Sequence, residues 1–324
     1  MNVRFEQLSS ILPLKKTAVV YTARTSSVET AGRCFRRFRR VAGLALMRRI
    51  HHEVGLLCIL PRPTGILMML GCHYQWFSPL QICFILERFE NVVFIGDQFL
   101  HAVYAGFNIL LRQDLLHGAL DLTSMPSELQ TQCRCGNQFT KQQCRGHYIK
   151  DSSASGTSQE NQAGQHSLCP HTRHAFLAID SANPSPDTIA RFQRLVPKAP
   201  RSHYHPIPII HSLSPSTLPT AAAAKTSLLK FLELADFSNR KTPMLWLGPT
   251  AAGHLDIKGR KGNQEIWDFD RAMSDAAREN DVERLGMWNL TVQTNSVDGV
   301  RVGEKVAIVQ AMMVVNWLAR LEGS

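Results

Sequence analysis

The sequence lacks an uninterrupted apolar run of the roughly 20 residues that a membrane-spanning helix requires. The longest candidate, residues 54–72, is broken by Pro61-Arg62-Pro63, and an arginine at the bilayer centre costs about 2.5–3.5 kcal/mol on insertion scales. A small-residue cleavage site after a short apolar core is also lacking, so a simple signal peptide is not expected. Residues 51–75 therefore have two open interpretations. The interruption favours a poorly structured extension, and the basic residues ahead of the run favour a membrane anchor.

The chain has almost no net charge beyond its first 50 residues. It contains 36 Lys/Arg and 26 Asp/Glu in total, of which residues 1–50 hold 11 and 2, leaving 25 basic against 24 acidic side chains. This distribution predicts a basic, disordered leader over residues 1–50 and a folded body that is not expected to bind nucleic acid. Aromatic and basic residues alternate over 35–40, so membrane contact through residues 36–72 stays open beside the simpler interpretation of a solvated tail.

Cysteine pairs with the spacing of a zinc site are absent as well. Cys133 and Cys135 are separated by one residue rather than two, and no second paired motif follows. The same region also holds Cys144, Cys169, His147, His166, His171 and His174. Disulfides formed in an oxidising compartment, free thiols and a metal site are favoured in that order. The sequence predicts no metal and no cofactor.

From residue 91 onward, apolar strands alternate with amphipathic helices. The predicted strands are 91–95, 206–213, 244–247 and 287–292, and the predicted helices are 99–112, 221–236, 264–283 and 303–321. This alternation predicts a three-layer α/β/α fold with a mostly parallel sheet, which binds ligands at the carboxyl ends of its strands. We expect the domain to span residues 76–324, with an irregular, cysteine-containing insertion at about 121–205.

Two blocks at opposite ends of this series resemble blocks of a known family. The stretch 92–98, VVFIGDQ, resembles the first block of the SGNH/GDSL hydrolases, where a strand ends in Gly-Asp-Ser. The stretch 298–301, DGVR, resembles their terminal Asp-x-x-His block. The segments ENVVFIGD, GPTAAGH and GEKVAIVQAMMVVNWLARLE are similar to a filamentous-fungal lineage related to the PC-esterase-like branch. The resemblance covers about residues 73–324 and implies an SGNH-like, flavodoxin-like α/β fold.

The resemblance implies that the catalytic serine and histidine are replaced. Carried onto this chain, it places Gln98 at the nucleophile position and Arg301 at the base position, and only Asp298 of the triad is kept. In the family, the histidine removes the proton of the serine hydroxyl. An amide has no proton that a histidine could remove to make it a nucleophile, and an arginine stays protonated and cannot accept a proton. Losing a triad costs on the order of 10⁶ in turnover. Asp97, Gln98, Asp298 and Arg301 are therefore family positions at which we expect little or no catalysis.

Other residues could line the same cleft. They are Gly96, His101, Gly253, His254 and Asn263. His101 or His254 could activate a water, although an ordinary hydrogen-bonded histidine is the simpler interpretation of each. Asn263 could donate to an oxyanion or cap a helix. Asp298 and Arg301 could simply form an ion pair.

Three functions follow from these patterns. The preferred one is a degenerate SGNH-fold protein with little or no esterase activity and an accessory or binding role in fungal secondary metabolism. The second is an active acyl-ester hydrolase or acyltransferase that acts on a glycan or small metabolite through a non-standard site. The third is binding of nucleic acid or a membrane surface through the leader. The first two predict a small-molecule or glycan acyl ester as partner.

Overall fold

The structure is a computed structural model that describes residues 75–152, 169, 172–198, 205–218, 220–253, 262–294, 296–297 and 301–321. The expectations for the leader and for the apolar segment lie outside these residues, as do those for His254 and Asp298. Of the helices in the described ranges, none has the length and apolar character needed to cross a bilayer.

Five parallel strands form one sheet in the order β2-β1-β3-β4-β5. The strands are β1 Val92–Gly96, β2 His174–Ala178, β3 Ile209–Ser212, β4 Met244–Leu247 and β5 Glu283–Leu285. Every residue of β1, β3 and β4 is buried, as expected of parallel strands covered on both faces. The edge strand β5 is polar and largely exposed.

Helices cover both faces of the sheet. In chain order they are α1 Pro79–Leu86, α2 Gln98–Arg112, α3 Ser127–Gln132, α4 Asn137–Thr140, α5 Gln142–Arg145, α6 Pro186–Leu195, α7 Ala221–Phe237, α8 Asn263–Glu279, α9 Trp288–Thr291 and α10 Glu304–Arg320. Phe94 of β1 packs in a core with α1, α2 and α10. Its neighbours Val93 and Ile95 point to the opposite face, into a core with α6, α7 and α8. The sheet is therefore the middle of three layers.

The closing helix α10 packs closely along α2. Gly106 of α2 lies against the backbone of Ala307, and a Cβ atom at Gly106 would lie 2.6 Å from the Ala307 carbonyl oxygen. This approach fixes the start of α10, and with it the loop that contains Arg301, relative to the helix that follows β1.

Two disulfides lie in the described part of the chain. Cys83 of α1 is bonded to Cys169, and Cys133 is bonded to Cys144 across the short helices α3 to α5. Cys133 and Cys144 are buried in a small core that also contains Phe139. The disulfide interpretation is confirmed for these four cysteines. The described residues contain no group of three side chains placed to hold a metal ion.

The parallel pairing of the strands and the helices on both faces of the sheet confirm the predicted three-layer α/β/α fold. Most predicted bounds hold to within a few residues. The prediction of a last strand at 287–292 is wrong, because residues 288–291 form the helical turn α9 and the last strand is β5. The range 121–205 is also more regular than expected, since it contains β2 and α6 besides its cysteine-containing helices.

Candidate functional site

The carboxyl end of β1 is joined to the loop after β3 through one carboxylate. Asp97 is the N-cap of α2, and its Oδ1 accepts a hydrogen bond from the Phe99 N–H at 3.0 Å. Its Oδ2 accepts from the Ser214 N–H at 2.8 Å, the Ser214 hydroxyl at 2.5 Å and the Thr217 hydroxyl at 2.7 Å. Because Asp97 is only 6% exposed, these protein donors replace the water that a carboxylate would otherwise bind. Asp97 is thus a buried structural acceptor.

A row of hydroxyl groups leads from this carboxylate to the surface. The Ser214 hydroxyl has one proton, which it donates to Asp97, so the Ser216 hydroxyl must be the donor in the 2.5 Å contact between the two serines. Ser216 is exposed and Ser214 is buried. Within the described residues, Ser216 forms no side-chain hydrogen bond other than this one. The order of proton donation is therefore Ser216 to Ser214 to Asp97.

Gln98 is the first residue of α2 and is exposed beside the buried Asp97. The strand ends at Gly96, where a Cβ atom would collide with the carbonyl oxygen of Ser212 on the neighbouring strand β3. Residues 96–98 consequently turn from the strand into the helix at the edge where parallel sheets bind ligands. An amide at this point can donate and accept hydrogen bonds.

A second group of predicted residues meets after β4. Asn263, at the start of α8, donates from its Nδ2 to the Gly253 carbonyl oxygen at 2.8 Å, and its own Oδ1 is buried without a partner. Gly253 has φ +70°, a conformation that favours glycine. The N-cap of α8 is Gly262 rather than Asn263, so the capping interpretation of Asn263 is wrong. Asn263 instead holds the loop after β4 against the start of α8.

The loop before α10 lies against the same region. A Cβ atom at Gly253 would lie 2.6 Å from the Thr294 carbonyl oxygen, and the Ser296 hydroxyl donates to the Ala252 carbonyl at 2.9 Å. The Val297 N–H donates to the Arg301 carbonyl at 2.7 Å, which closes the loop. Gly253, Asn263 and Arg301 therefore belong to connected segments at the carboxyl ends of β4 and β5.

His101 does not open onto this edge. Its ring stacks on Phe176 of β2 with centroids 4.1 Å apart and meets Tyr148 edge-on at 5.0 Å. Burial lowers the pKa of His101 to about 4. A hydrogen bond to the Ile149 backbone raises this pKa, and the positive charge of Lys150 lowers it further. The ring is therefore a neutral member of an aromatic cluster, and the simpler interpretation of this residue fits the structure better than water activation.

Electrostatics connect that cluster to the loop before α10. Burial raises the pKa of Tyr148, and the positive charges of Arg145 and Arg301 act in the opposite direction. Arg301 consequently lies close enough to the Tyr148 ring for its charge to lower the pKa of that ring. The Tyr148 ring in turn contacts His101, which lies one helical turn after Gln98. Arg301 and α2 are thereby related through Tyr148, which contacts the ring of His101.

Sequence reasoning missed the hydroxyl groups at this site. Ser214, Ser216 and Thr217 follow the third core strand in the stretch SLSPST, and Ser212 donates its hydroxyl to the Leu247 carbonyl at 2.6 Å. A run of hydroxyl residues directly after a buried strand was the available signal, since the carboxyl ends of parallel strands share one edge. The edge as described offers the exposed Gln98 amide and the exposed Ser216 hydroxyl, which suit recognition of a polar ligand by hydrogen bonds.

No family model and no curated protein sequence matches the chain. Among solved structures, it is similar to an acetyl xylan esterase, AlAXEase, at 12% identity and a TM-score of 0.36, over 71% of this chain and 100% of that one. It is also similar to a member of the lipolytic protein G-D-S-L family from Veillonella parvula, at 13% identity and a TM-score of 0.37, over 71% and 99%. The activities named in these descriptions belong to those proteins.

Proposed function

We propose that this chain is a degenerate SGNH-fold protein that binds a polar acyl ester, small or attached to a glycan, without hydrolysing it by the serine–histidine route. The observation that supports this most directly is the exposed Gln98 amide at the first turn of α2, directly after β1. Hydrolysis by the family route needs a hydroxyl there and an imidazole at position 301. The chain has an amide and a guanidinium instead, which retain hydrogen bonding but cannot transfer the serine proton.

The rigidity of the edge is consistent with a binding role. Asp97 fixes the loop after β3, and Asn263 fixes the loop after β4, each through side-chain to backbone hydrogen bonds. Loops held in this way present amide and hydroxyl groups at little entropic cost on binding. An accessory role in fungal metabolism is the biological setting that the sequence resemblance suggests for such a binder.

The first experiment measures covalent reactivity and turnover. Purified protein is incubated with a fluorophosphonate probe and with short acyl esters, and Ser216→Ala is treated in parallel. We expect no labelling and no turnover above the buffer rate for either protein. Labelling of the original chain that is lost in Ser216→Ala would refute the proposal and identify the nucleophile.

A second experiment tests the assignment of the two positions. The variant Gln98→Ser with Arg301→His restores both missing groups of the family triad, whereas each single substitution restores one. We expect probe labelling of the double variant and of neither single variant, because the serine needs the imidazole to lose its proton. A double variant that folds but stays unlabelled would count against the alignment of these two blocks.

One observation favours an active hydrolase as the second candidate. The Ser216 hydroxyl is exposed and is connected through Ser214 to the Asp97 carboxylate, so a surface nucleophile with a buried acceptor is present. The described residues place no imidazole between Ser216 and that acceptor, which is why binding is preferred. The Ser216→Ala comparison separates the two candidates.

A further inference from the structure

An exposed apolar stripe runs along α1. Trp76, Leu80 and Phe84 have 38%, 62% and 60% of their surfaces exposed. They are spaced by four residues, so Leu80 and Phe84 lie on one face of the helix and Trp76 precedes them at the same spacing. Residues 75–86, QWFSPLQICFIL, contain no charged side chain. These three residues are called the α1 stripe below.

The stripe cannot turn inward, because the opposite face of α1 is fixed. Ile82, Cys83 and Leu86 are buried in the core, and Cys83 is bonded to Cys169. The start of the helix is held by a capping box between Ser78 and Gln81. The helix is therefore attached to the domain with Leu80 and Phe84 facing outward, and Trp76 is exposed just ahead of it.

The end of α1 is held by a neighbouring arginine. Arg88 donates hydrogen bonds to the carbonyl oxygens of Leu318 and Leu321 at the end of α10, at 2.8 and 3.0 Å.

Contiguous apolar surface that the fold holds exposed in this way marks a contact with a protein or a membrane.

The chain that leads into α1 indicates which contact this is. The apolar residues 54–72 end four residues before Trp76, and residues 1–50 hold 11 basic against 2 acidic side chains. Basic residues followed by apolar residues are the combination that binds anionic lipid surfaces, where charge attraction and burial of apolar side chains add. Tryptophan is enriched at the boundary between headgroups and acyl chains. A protein partner would not require this succession of charge and apolar surface.

From this succession we infer that the α1 stripe lies in the lipid–water interface of an anionic bilayer and holds the domain on the membrane surface. Trp76, Leu80 and Phe84 enter the boundary region between headgroups and acyl chains. The inference is independent of the proposed function, since it concerns α1 and not the carboxyl edge of the sheet.

The test uses the full chain and vesicles of phosphatidylcholine with or without phosphatidylserine. In a flotation assay, Leu80→Gln with Phe84→Gln should weaken partitioning by about tenfold or more, because two large apolar side chains no longer leave water on binding. Phe237→Gln is the matched control, since Phe237 is 64% exposed at the end of α7. That control should float like the original chain, and phosphatidylserine should increase flotation of both.

A second measurement reports on the stripe itself. Vesicles with brominated acyl chains quench tryptophans that reach the acyl boundary, so we expect quenching of the bound chain that is lost in Trp76→Phe. Equal quenching in both proteins, or none in the floated chain, would overturn the inference. Two other results would also overturn it. If residues 54–72 cover the stripe, the stripe variant will float like the original chain. If a second copy covers it, the original chain will be a dimer and the stripe variant a monomer.

Discussion

The hydroxyl of Ser214 donates a hydrogen bond to Oδ2 of Asp97 at 2.5 Å, across 117 residues of sequence. This contact joins the end of β1 to the loop after β3. One carboxylate therefore holds together two neighbouring segments at the carboxyl ends of the strands. Asp97 is therefore a structural residue, and its removal should be measured first as a loss of stability.

The variant Asp97→Ala is expected to lower the free energy of unfolding by about 3 kcal/mol. The loss of the helix cap contributes about 1 kcal/mol, and leaving the buried Ser214 donors without an acceptor contributes about 1–3 kcal/mol. Urea unfolding followed by circular dichroism measures the change. Ser216→Ala, at the exposed end of the same hydroxyl row, should change it by less than about 0.5 kcal/mol. Equal stabilities of the two variants would show that the buried contacts contribute nothing.

Acidification should destabilise the fold through the buried His174 and His211 and the partly buried His101. Burial lowers the pKa of His101 to about 4 and the pKa values of His174 and His211 to about 3. The unfolded chain therefore binds protons that the folded chain does not, and stability is lost as the pH falls below about 6.5. Each histidine contributes about 2 kcal/mol to this loss at pH 5.

His101→Phe should flatten this pH dependence, because it keeps an aromatic ring against Phe176 and removes one of the three titrating groups. The measurement is the free energy of unfolding at pH 7 and at pH 5. The exposed His205→Gln serves as the control and should leave the difference between the two pH values unchanged. A variant at His101 with the original pH dependence would show that its neutral state is not required for folding.

Glu304 should make the fold less stable as the pH rises, which is the opposite of the effect of the histidines. Burial raises its pKa to about 7, Lys305 lowers it and Asp114 raises it further. Because the folded state holds this proton more tightly than the unfolded chain does, stability is lost as the pH rises from about 4.5 through 7.

Glu304→Gln is thus expected to gain about 1–3 kcal/mol of stability at pH 8 and little at pH 4.5. Thermal unfolding at the two pH values measures the gain. Glu128→Gln is the control, because Glu128 also lies in the first turn of its helix but is exposed. A gain of the same size at both pH values would point to a cause other than the ionisation of Glu304.

Gly106→Ala should separate α2 from α10. The added Cβ would lie 2.6 Å from the Ala307 backbone, which cannot move as a flexible side chain does. Overpacking of this kind costs about 1–3 kcal/mol or more, measurable by urea unfolding. Gly146→Ala is the control, since its Cβ would meet only the Gln143 carbonyl at 3.8 Å. Wild-type stability of Gly106→Ala would mean that the two helices can shift apart without loss.

The strands and helices with strong apolar periodicity could be predicted from sequence. Strand 244–247 and helix 221–236 were placed within one residue of the observed bounds. The edge strand β5 was missed because it pairs on one side only and is polar, while the apolar stretch at 287–292 beside it forms a helical turn. β2 was missed because five residues, HAFLA, follow a long polar stretch that carries no strand signal.

The site was predictable only where its residues are close in sequence. Gly96, Asp97 and Gln98 are consecutive, so the turn from β1 into α2 could be located. The Ser214 and Thr217 contacts to Asp97 span 117 and 120 residues, and no local pattern indicates them. The aromatic neighbours of His101 could not be predicted, because Phe176 and Tyr148 come from segments expected to be irregular.

The bond between Cys83 and Cys169 has a consequence for how damage to this protein would be seen. The two residues are 86 apart in sequence and enclose the end of α1, the whole of β1 and helices α2 to α5. A protease cut anywhere between them leaves both pieces covalently joined. Such a clipped molecule would migrate as one band on a non-reducing gel and as two after a thiol reductant is added, so apparent integrity must be judged under reducing conditions.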